Sequence, residues 1–240
     1  MQSAHLPDPQ KVRTMFGHIS QNYDRANGVI SMGLHKKWRR QLVAWSGAQP
    51  GDVVLDCATG TGDLALDFKR VVGVDGRVIG TDFCAEMLEL APGKAKRAEL
   101  EIEFALADTQ QLPYPDNTFD IVSIAYGIRN VADPVKGLSE MARVCKPGGV
   151  VMVLETGQTE IPLYRELYRL YFHHLIPRLG QVLTGNRGAY KYLQESAFKF
   201  PYRENFLALM TATKMFQTTE YRSLLGGVSY IYKGRKLPAI

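Results

Sequence analysis

Apolar residues recur along this chain at two different spacings, and the change from one to the other near residue 50 divides it. Val12, Met15, Phe16 and Ile19 follow the three-and-four spacing of one helix face. Asp8-Pro9, just ahead of them, supplies an N-cap and a proline at the first helical position. Leu34, Trp38, Leu42 and Trp45 mark a second amphipathic helix, with Lys36, Lys37, Arg39 and Arg40 mostly on its other faces. From Asp52 onward the pattern becomes short apolar runs separated by helical stretches. Strands are expected at 53–58, 77–82, 102–108, 119–126 and 149–156, which implies a parallel sheet covered on both faces. Lys146-Pro147-Gly148-Gly149 reads as the turn before the fifth strand, and Pro92-Gly93 as an early end to the helix after the second. Gly226-Gly227 precedes a last strand over 228–232, expected at the sheet edge. No internal repeat or low-complexity segment interrupts this. The fold class is therefore α/β and doubly wound, in a single domain over 1–240. Its parts are a helical N-terminal extension at 1–50, a core at 51–156, an insertion at 157–206 and C-terminal strands at 207–240.

Composition narrows the class. The 240 residues, 45% hydrophobic and 22% charged, suit one soluble α/β unit with a full core. No apolar run approaches the roughly 20 residues of a membrane span, and the N-terminus lacks the basic and apolar regions of a signal peptide, so the cytoplasm is the expected compartment. Cys57, Cys84 and Cys145 are too widely spaced for a metal site or a disulfide framework, so no metal is expected. The net charge of +5 hides an asymmetry: residues 1–40 carry seven Lys/Arg against two acids, 41–160 ten against eighteen, and 161–240 twelve against four. Basic flanks around an acidic core suit nucleic acid, anionic lipid or an acidic partner, or are simply solvated.

Residues 53–63, Val-Val-Leu-Asp-Cys-Ala-Thr-Gly-Thr-Gly-Asp, carry the most information. A buried strand enters a turn with Gly60 and Gly62 and then a helix, so backbone can approach a bulky ligand closely. Asp82, at the end of the second strand, is placed to accept both hydroxyls of an adenosine ribose. Asp108, at the end of the third, can reach an adenine amino group, with the Thr109 backbone beside it. Gly60-Thr61-Gly62-Asp63-Leu64-Ala65 also fits the dinucleotide pattern GxGxxG/A, so an NAD dehydrogenase competes. Asp56 and Asp63 favour S-adenosylmethionine instead, because carboxylates beside the loop attract a cationic methionyl group and repel a pyrophosphate. Asp56 can equally cap amides of its own loop.

The flanks add a resemblance. Phe16, Ile19-Ser20, Tyr23-Asp24, Asn27, Ser31, Gly33, His35 and Trp38-Arg39 resemble the N-terminal signature of the quinone C-methyltransferase family. Gly127-Ile128-Arg129-Asn130-Val131, Tyr192-Leu193 with Ser196 and Phe200-Pro201, and Gly226-Gly227-Val228 with Gly234 and Lys236 are similar to its other motifs. The match runs from about residue 11 to 236. It implies a Rossmann-like class I methyltransferase fold and S-adenosylmethionine as cofactor, held by Thr61, Asp82, Asp108 and Thr109. It also implies methylation of a polyprenyl quinol, a demethylmenaquinol or the corresponding ubiquinone precursor. Two departures are Pro92-Gly93 in a usually continuous helix and Ala125 where some members carry a cofactor-contacting serine.

On that reading the chain aligns a ring carbon with the sulfonium methyl and stabilises the oxyanion of the deprotonated quinol. Arg129 and Asn130, at the carboxyl end of the fourth strand, are the residues expected to do so, with Tyr23 and His18 as weaker candidates for the base. The alternative for Arg129 is a pair with a structural acid. Residues 164–206 hold ten of the 22 Tyr and Phe residues, interleaved with Arg165, Arg169 and Arg178. Leu163, Leu167 and Leu170 form one stripe there, and Tyr164, Tyr168, Tyr171 and Leu175 a neighbouring one. This insertion is expected to meet an anionic membrane at the inner face; a cap over the active site or a homodimer contact are the competing roles. Another lipid or small molecule is the nearest alternative substrate. Nucleic acid is not an expected partner, since no base-binding pocket motif or RNA-binding appendage appears.

Overall fold

The structure, a computed structural model, describes residues 8–159, 161, 162, 165, 166, 170, 171 and 175–239. Leu163, Tyr164, Leu167, Tyr168 and Arg169 of the expected stripes and basic set lie outside the described residues. Helix α1 (Pro9–Ile19) starts where Asp8-Pro9 predicts: the Asp8 carboxylate accepts the amides of Gln10 at 3.0 Å and Lys11 at 3.4 Å, satisfying two otherwise orphaned donors. A single 3-10 turn, Ser20–Asn22, leads into α2 (Tyr23–Ile30), and α3 (Leu34–Ser46) follows a left-handed Gly33. Helix α3 buries His35, Trp38 and Leu42.

Seven strands form one sheet in the order β3-β2-β1-β4-β5-β7-β6. They are β1 (Val53–Cys57), β2 (Arg77–Asp82), β3 (Glu103–Leu106), β4 (Phe119–Ala125), β5 (Cys145–Thr156), β6 (Phe216–Leu224) and β7 (Ser229–Lys236). The first five are parallel; β7 runs antiparallel to β5 and β6. Helices α4 (Asp63–Val72), α5 (Ala85–Leu88), α6 (Ala91–Arg97) and α7 (Pro134–Val144) connect them. Both faces are covered, so adjacent residues of one strand are buried together. Leu55, Val122 and Val151 pack with Leu138 and Met141 of α7 and with Phe206. Val54, Ile121 and Met152 pack with Leu42 of α3 and with Leu64 and Phe68 of α4. A third cluster joins Ile19 and Ala26 to Ile176, Ala189 and Tyr190 of the helices Ile176–Thr184 and Arg187–Lys199. Gly180 makes that contact close: a Cβ there would stand 2.0 Å from the Tyr190 ring.

Three local expectations are corrected. The last strand is not at the edge: β7 lies between β5 and β6. Strand β6 was hidden because Gln217, Thr218, Glu220, Arg222 and Ser223 leave it few apolar positions, and a polar outer strand suits an unpaired edge. Pro92 does not end a helix but sits in the first turn of α6, where its missing amide costs nothing; the break precedes it, between Leu88 and Ala91. Lys146-Pro147-Gly148-Gly149 falls inside β5. Phe119 pairs with Cys145 and Ile121 with Val150, so the four residues form an irregularity within the strand.

Candidate active site

The glycine loop leaves the carboxyl end of β1, where the strand order reverses between β2 and β4 and an open α/β sheet presents its ligand crevice. Ala58, Gly60 and Gly62 take left-handed φ values of 47°, 58° and 85°. A Cβ on Gly62 would press at 3.1 Å on both Ala91 and Phe104. Asp82, 6% exposed, accepts the Gly60 amide at 2.8 Å on one oxygen and the Cys84 amide at 2.9 Å on the other. Burial raises its pKa to about 6. Asp56 is 1% exposed and accepts the hydroxyls of Thr59 at 2.6 Å and Ser123 at 2.8 Å. Burial pushes it up to about 7, because two neutral donors only partly replace lost water. Asp108 is exposed and its carboxylate accepts the Gln110 amide at 2.9 Å, while Thr109 is buried.

A cavity of about 400 Å³ opens beside this loop, lined by Asp56, Gly60 and Thr61 together with α1–α3 and the helices Ile176–Thr184 and Arg187–Lys199. Its walls include Phe16, Ile30, Trp38, Ile176 and Leu193. The described part of the insertion therefore walls the site. Of the expected residues, Tyr23, Asp56, Gly60, Thr61 and Arg129 line the cavity; Gly62, Asp82, Asp108, Thr109 and Asn130 do not. Of these, Asp82, Asp108 and Thr109 sit at or just beyond the ends of β2 and β3.

Arg129 follows the left-handed Tyr126 in the 3-10 turn Ile128–Asn130 and is 8% exposed. One terminal nitrogen donates to Glu155 at 2.7 Å and to the Tyr126 carbonyl at 2.7 Å. Burial opposes its charge, but Glu155 more than offsets that, so the guanidinium stays charged. The pairing with an acid weighed from sequence is thus present, and it does not use the whole group: Nε is buried without a hydrogen-bond partner among the described residues. Asn130 accepts the Tyr192 hydroxyl at 3.1 Å. Burial raises the Tyr23 pKa, partly countered by a hydrogen bond with Asn27 and by Arg129, so its phenol stays protonated at neutral pH. His18 is exposed and outside the cavity.

Several residues carried no role in the sequence reading. Glu155, 1% exposed, fixes Arg129; an acid directly after the apolar run 150–154 was the signal. His35 lines the cavity, 8% exposed, with its Nδ1 on the Ser31 hydroxyl. Burial lowers its pKa to about 4, so it is a neutral acceptor at neutral pH. Lys94 of α6 donates to Asp24 at 2.7 Å, to the Thr61 hydroxyl at 2.9 Å and to Asp63, while Thr61 donates to Asp24 at 2.6 Å. Helix α2 is thereby tied to the glycine loop.

The pattern of the ubiE/COQ5 methyltransferase family matches residues 5–236. A ubiquinone/menaquinone biosynthesis C-methyltransferase, UbiE, of Bdellovibrio bacteriovorus is 56% identical over 232 residues, 97% of this chain and 98% of that protein. A demethylmenaquinone methyltransferase of Deinococcus radiodurans is 43% identical over 95% of this chain and 93% of its own length. Among solved structures, a SAM-dependent methyltransferase from Aquifex aeolicus aligns over 96% of this chain and 99% of its own with a TM-score of 0.60 at 19% identity, a likeness of fold alone.

Proposed function

This chain belongs to the ubiE/COQ5 methyltransferase family, and from that membership and the cavity beside its glycine loop we propose that it methylates a ring carbon of a polyprenyl quinol, a demethylmenaquinol or the corresponding ubiquinone precursor. The residues fit S-adenosylmethionine as methyl donor. Asp56 is a buried carboxylate whose hydrogen-bond donors among the described residues are hydroxyls, which a cation would complete, and the loop is bare of side chains at Gly60 and Gly62. Asp82 accepts backbone amides of the loop and of Cys84 and keeps lone pairs for ribose hydroxyls, with Asp108 and Thr109 beyond it for the adenine. When bound, this group supplies a methyl on a cationic sulfur as the electrophile.

The observation that carries the reading is the buried, charged Arg129, whose Nε has no hydrogen-bond partner among the described residues, in the wall of an otherwise largely apolar cavity. A fixed cation there favours the ionised form of a ring hydroxyl, at ~1.4 kcal/mol per pKa unit. The ionised quinol pushes electron density onto the adjacent ring carbon, which forms the new carbon–carbon bond; that carbon then loses its proton and the ring becomes aromatic again. The hydroxyl proton leaves through water at Arg129 or the neutral His35, the ring-carbon proton leaves to solvent, and the ring oxygen takes one proton back, so that one proton is released in net. Glu155 holds Arg129 in place, Tyr23 donates to ring oxygen, and Asn130 steadies Tyr192 in the cavity wall. The quinone would not react, since it is electron-poor at the same carbon.

The basic, aromatic-rich insertion supports a peripheral association with the inner face of an anionic membrane, where such a substrate resides. Among the described residues no helix is long and apolar enough to cross one. Mass spectrometry of quinones from cells lacking the protein tests the proposal: a species one methylene lighter should accumulate and vanish when the gene is restored. An unchanged quinone pool would refute it.

A further inference from the structure

The cavity has a rim as well as a floor. Two of its lining residues are large, apolar and well exposed: Met32, 75% exposed, and Leu225, 49% exposed. Both hold left-handed backbone, φ 49° and 46°, which only a few per cent of non-glycine residues adopt. Each is followed by a glycine that is also left-handed, Gly33 at 76° and Gly226 at 65°. Solvating two such side chains on strained backbone stabilises nothing in the folded chain, and outliers of this kind cluster at ligand contacts. The cavity is too small for the alternative of swallowing the whole substrate. At about 400 Å³ it lies at the lower end of the roughly 300–1,000 Å³ of small-molecule sites, so a ring can be enclosed while a tail of many prenyl units must leave. Lys36 and Lys37 stand exposed on the first turn of α3, directly after Met32-Gly33, where they would meet anionic headgroups.

We propose that Met32 and Leu225 form an apolar lip through which the prenyl tail of the substrate passes from the cavity into the lipid, both side chains dipping into the acyl layer during turnover. This inference rests on the polyprenyl quinol reading. It commits the rim to a prenyl tail and surrounding lipid.

The native cysteines are all buried, so Met32→Cys and Leu225→Cys can each be labelled alone with an environment-sensitive fluorophore. Val74→Cys, at a residue 92% exposed and outside the cavity lining, is the control. With vesicles of phosphatidylglycerol and phosphatidylcholine carrying a quencher on the acyl chain, the labels at 32 and 225 should shift to the blue and be quenched, and the label at 74 should not. In a second arm, Met32→Asp with Leu225→Asp should lower the ratio of kcat/KM for a long-tailed quinol in vesicles to that for a tail-less quinol by about tenfold or more. Labels that remain in water, or an unchanged ratio in a variant that still turns over, would overturn the lip. A wild-type protein inactive on both quinols would instead overturn the underlying reading.

Discussion

At the residue scale, two buried ionisable groups, Arg129 and Asp56, carry the proposed chemistry, and each makes a prediction. Arg129→Ala should leave cofactor affinity nearly unchanged and lower kcat at least about tenfold, which is ~1.4 kcal/mol of transition-state stabilisation. Part of the rate should return as pH rises and the quinol ionises unaided; a wild-type rate would remove Arg129 from the reaction. Asp56 predicts a pH dependence of binding. Its pKa of about 7 means that the free protein is partly protonated there near neutrality, whereas a cation beside it needs the carboxylate. Affinity for S-adenosylmethionine should therefore rise with pH through about 7, with proton release seen by calorimetry in buffers of different ionisation enthalpy. Asp56→Asn should abolish the share of that dependence owed to this carboxylate; an unaltered profile would contradict it. Asp82→Ala should weaken binding by about 1–3 kcal/mol, the loss of charge-assisted hydrogen bonds; unchanged affinity in a folded variant would exclude it from the ribose site. These acids were legible because each lies at or one residue before the end of a strand of a parallel sheet, a place fixed by pattern alone. The partnership of Arg129 with Glu155 was not, since 26 residues and the β4–β5 pairing separate them.

At the element scale, α2 hangs on the cofactor loop through a few polar contacts. Asp24 receives both the Thr61 hydroxyl and Lys94, whose ammonium also reaches Asp63. Lys94→Met should free α1 and α2 from the loop. Hydrogen exchange over residues 8–33 should accelerate, and the gain in protection on adding S-adenosylmethionine should shrink, while the exchange of β1 and β4 stays slow. Equal exchange in the two proteins would mean that the Thr61–Asp24 hydrogen bond and apolar packing hold these helices without Lys94. The five parallel strands, α1 and α3 could be read directly, because buried strands give unbroken apolar runs and amphipathic helices give a 3.6-residue stripe. Strand β6 could not, as its residues serve an exposed edge. The neighbour of β7 depends on a hairpin whose second strand alone carried an apolar signal.

At the scale of the whole molecule, the charge is divided between an acidic core and basic flanks. The protein should sediment with anionic vesicles at low salt and release as ionic strength rises, since each Lys or Arg contributes about 1 kcal/mol and is screened within a Debye length. Removing the exposed charges of Arg165 and Arg178 should weaken that binding; unaffected sedimentation would place the contact elsewhere. The described part of the insertion also walls the cavity, so the capping role weighed against membrane contact has a structural basis, which the packing of Ile19 and Ala26 on Ile176 and Ala189 makes visible. The central claim is that a reduced ring is methylated at carbon. It is tested most directly by incubating the purified chain with S-adenosylmethionine carrying a carbon-13 methyl group and with a demethylmenaquinol or its oxidised quinone, then locating the label by NMR. The quinol should gain the label on a ring carbon and the quinone should gain none; label on oxygen, or transfer to the quinone alone, would contradict the account.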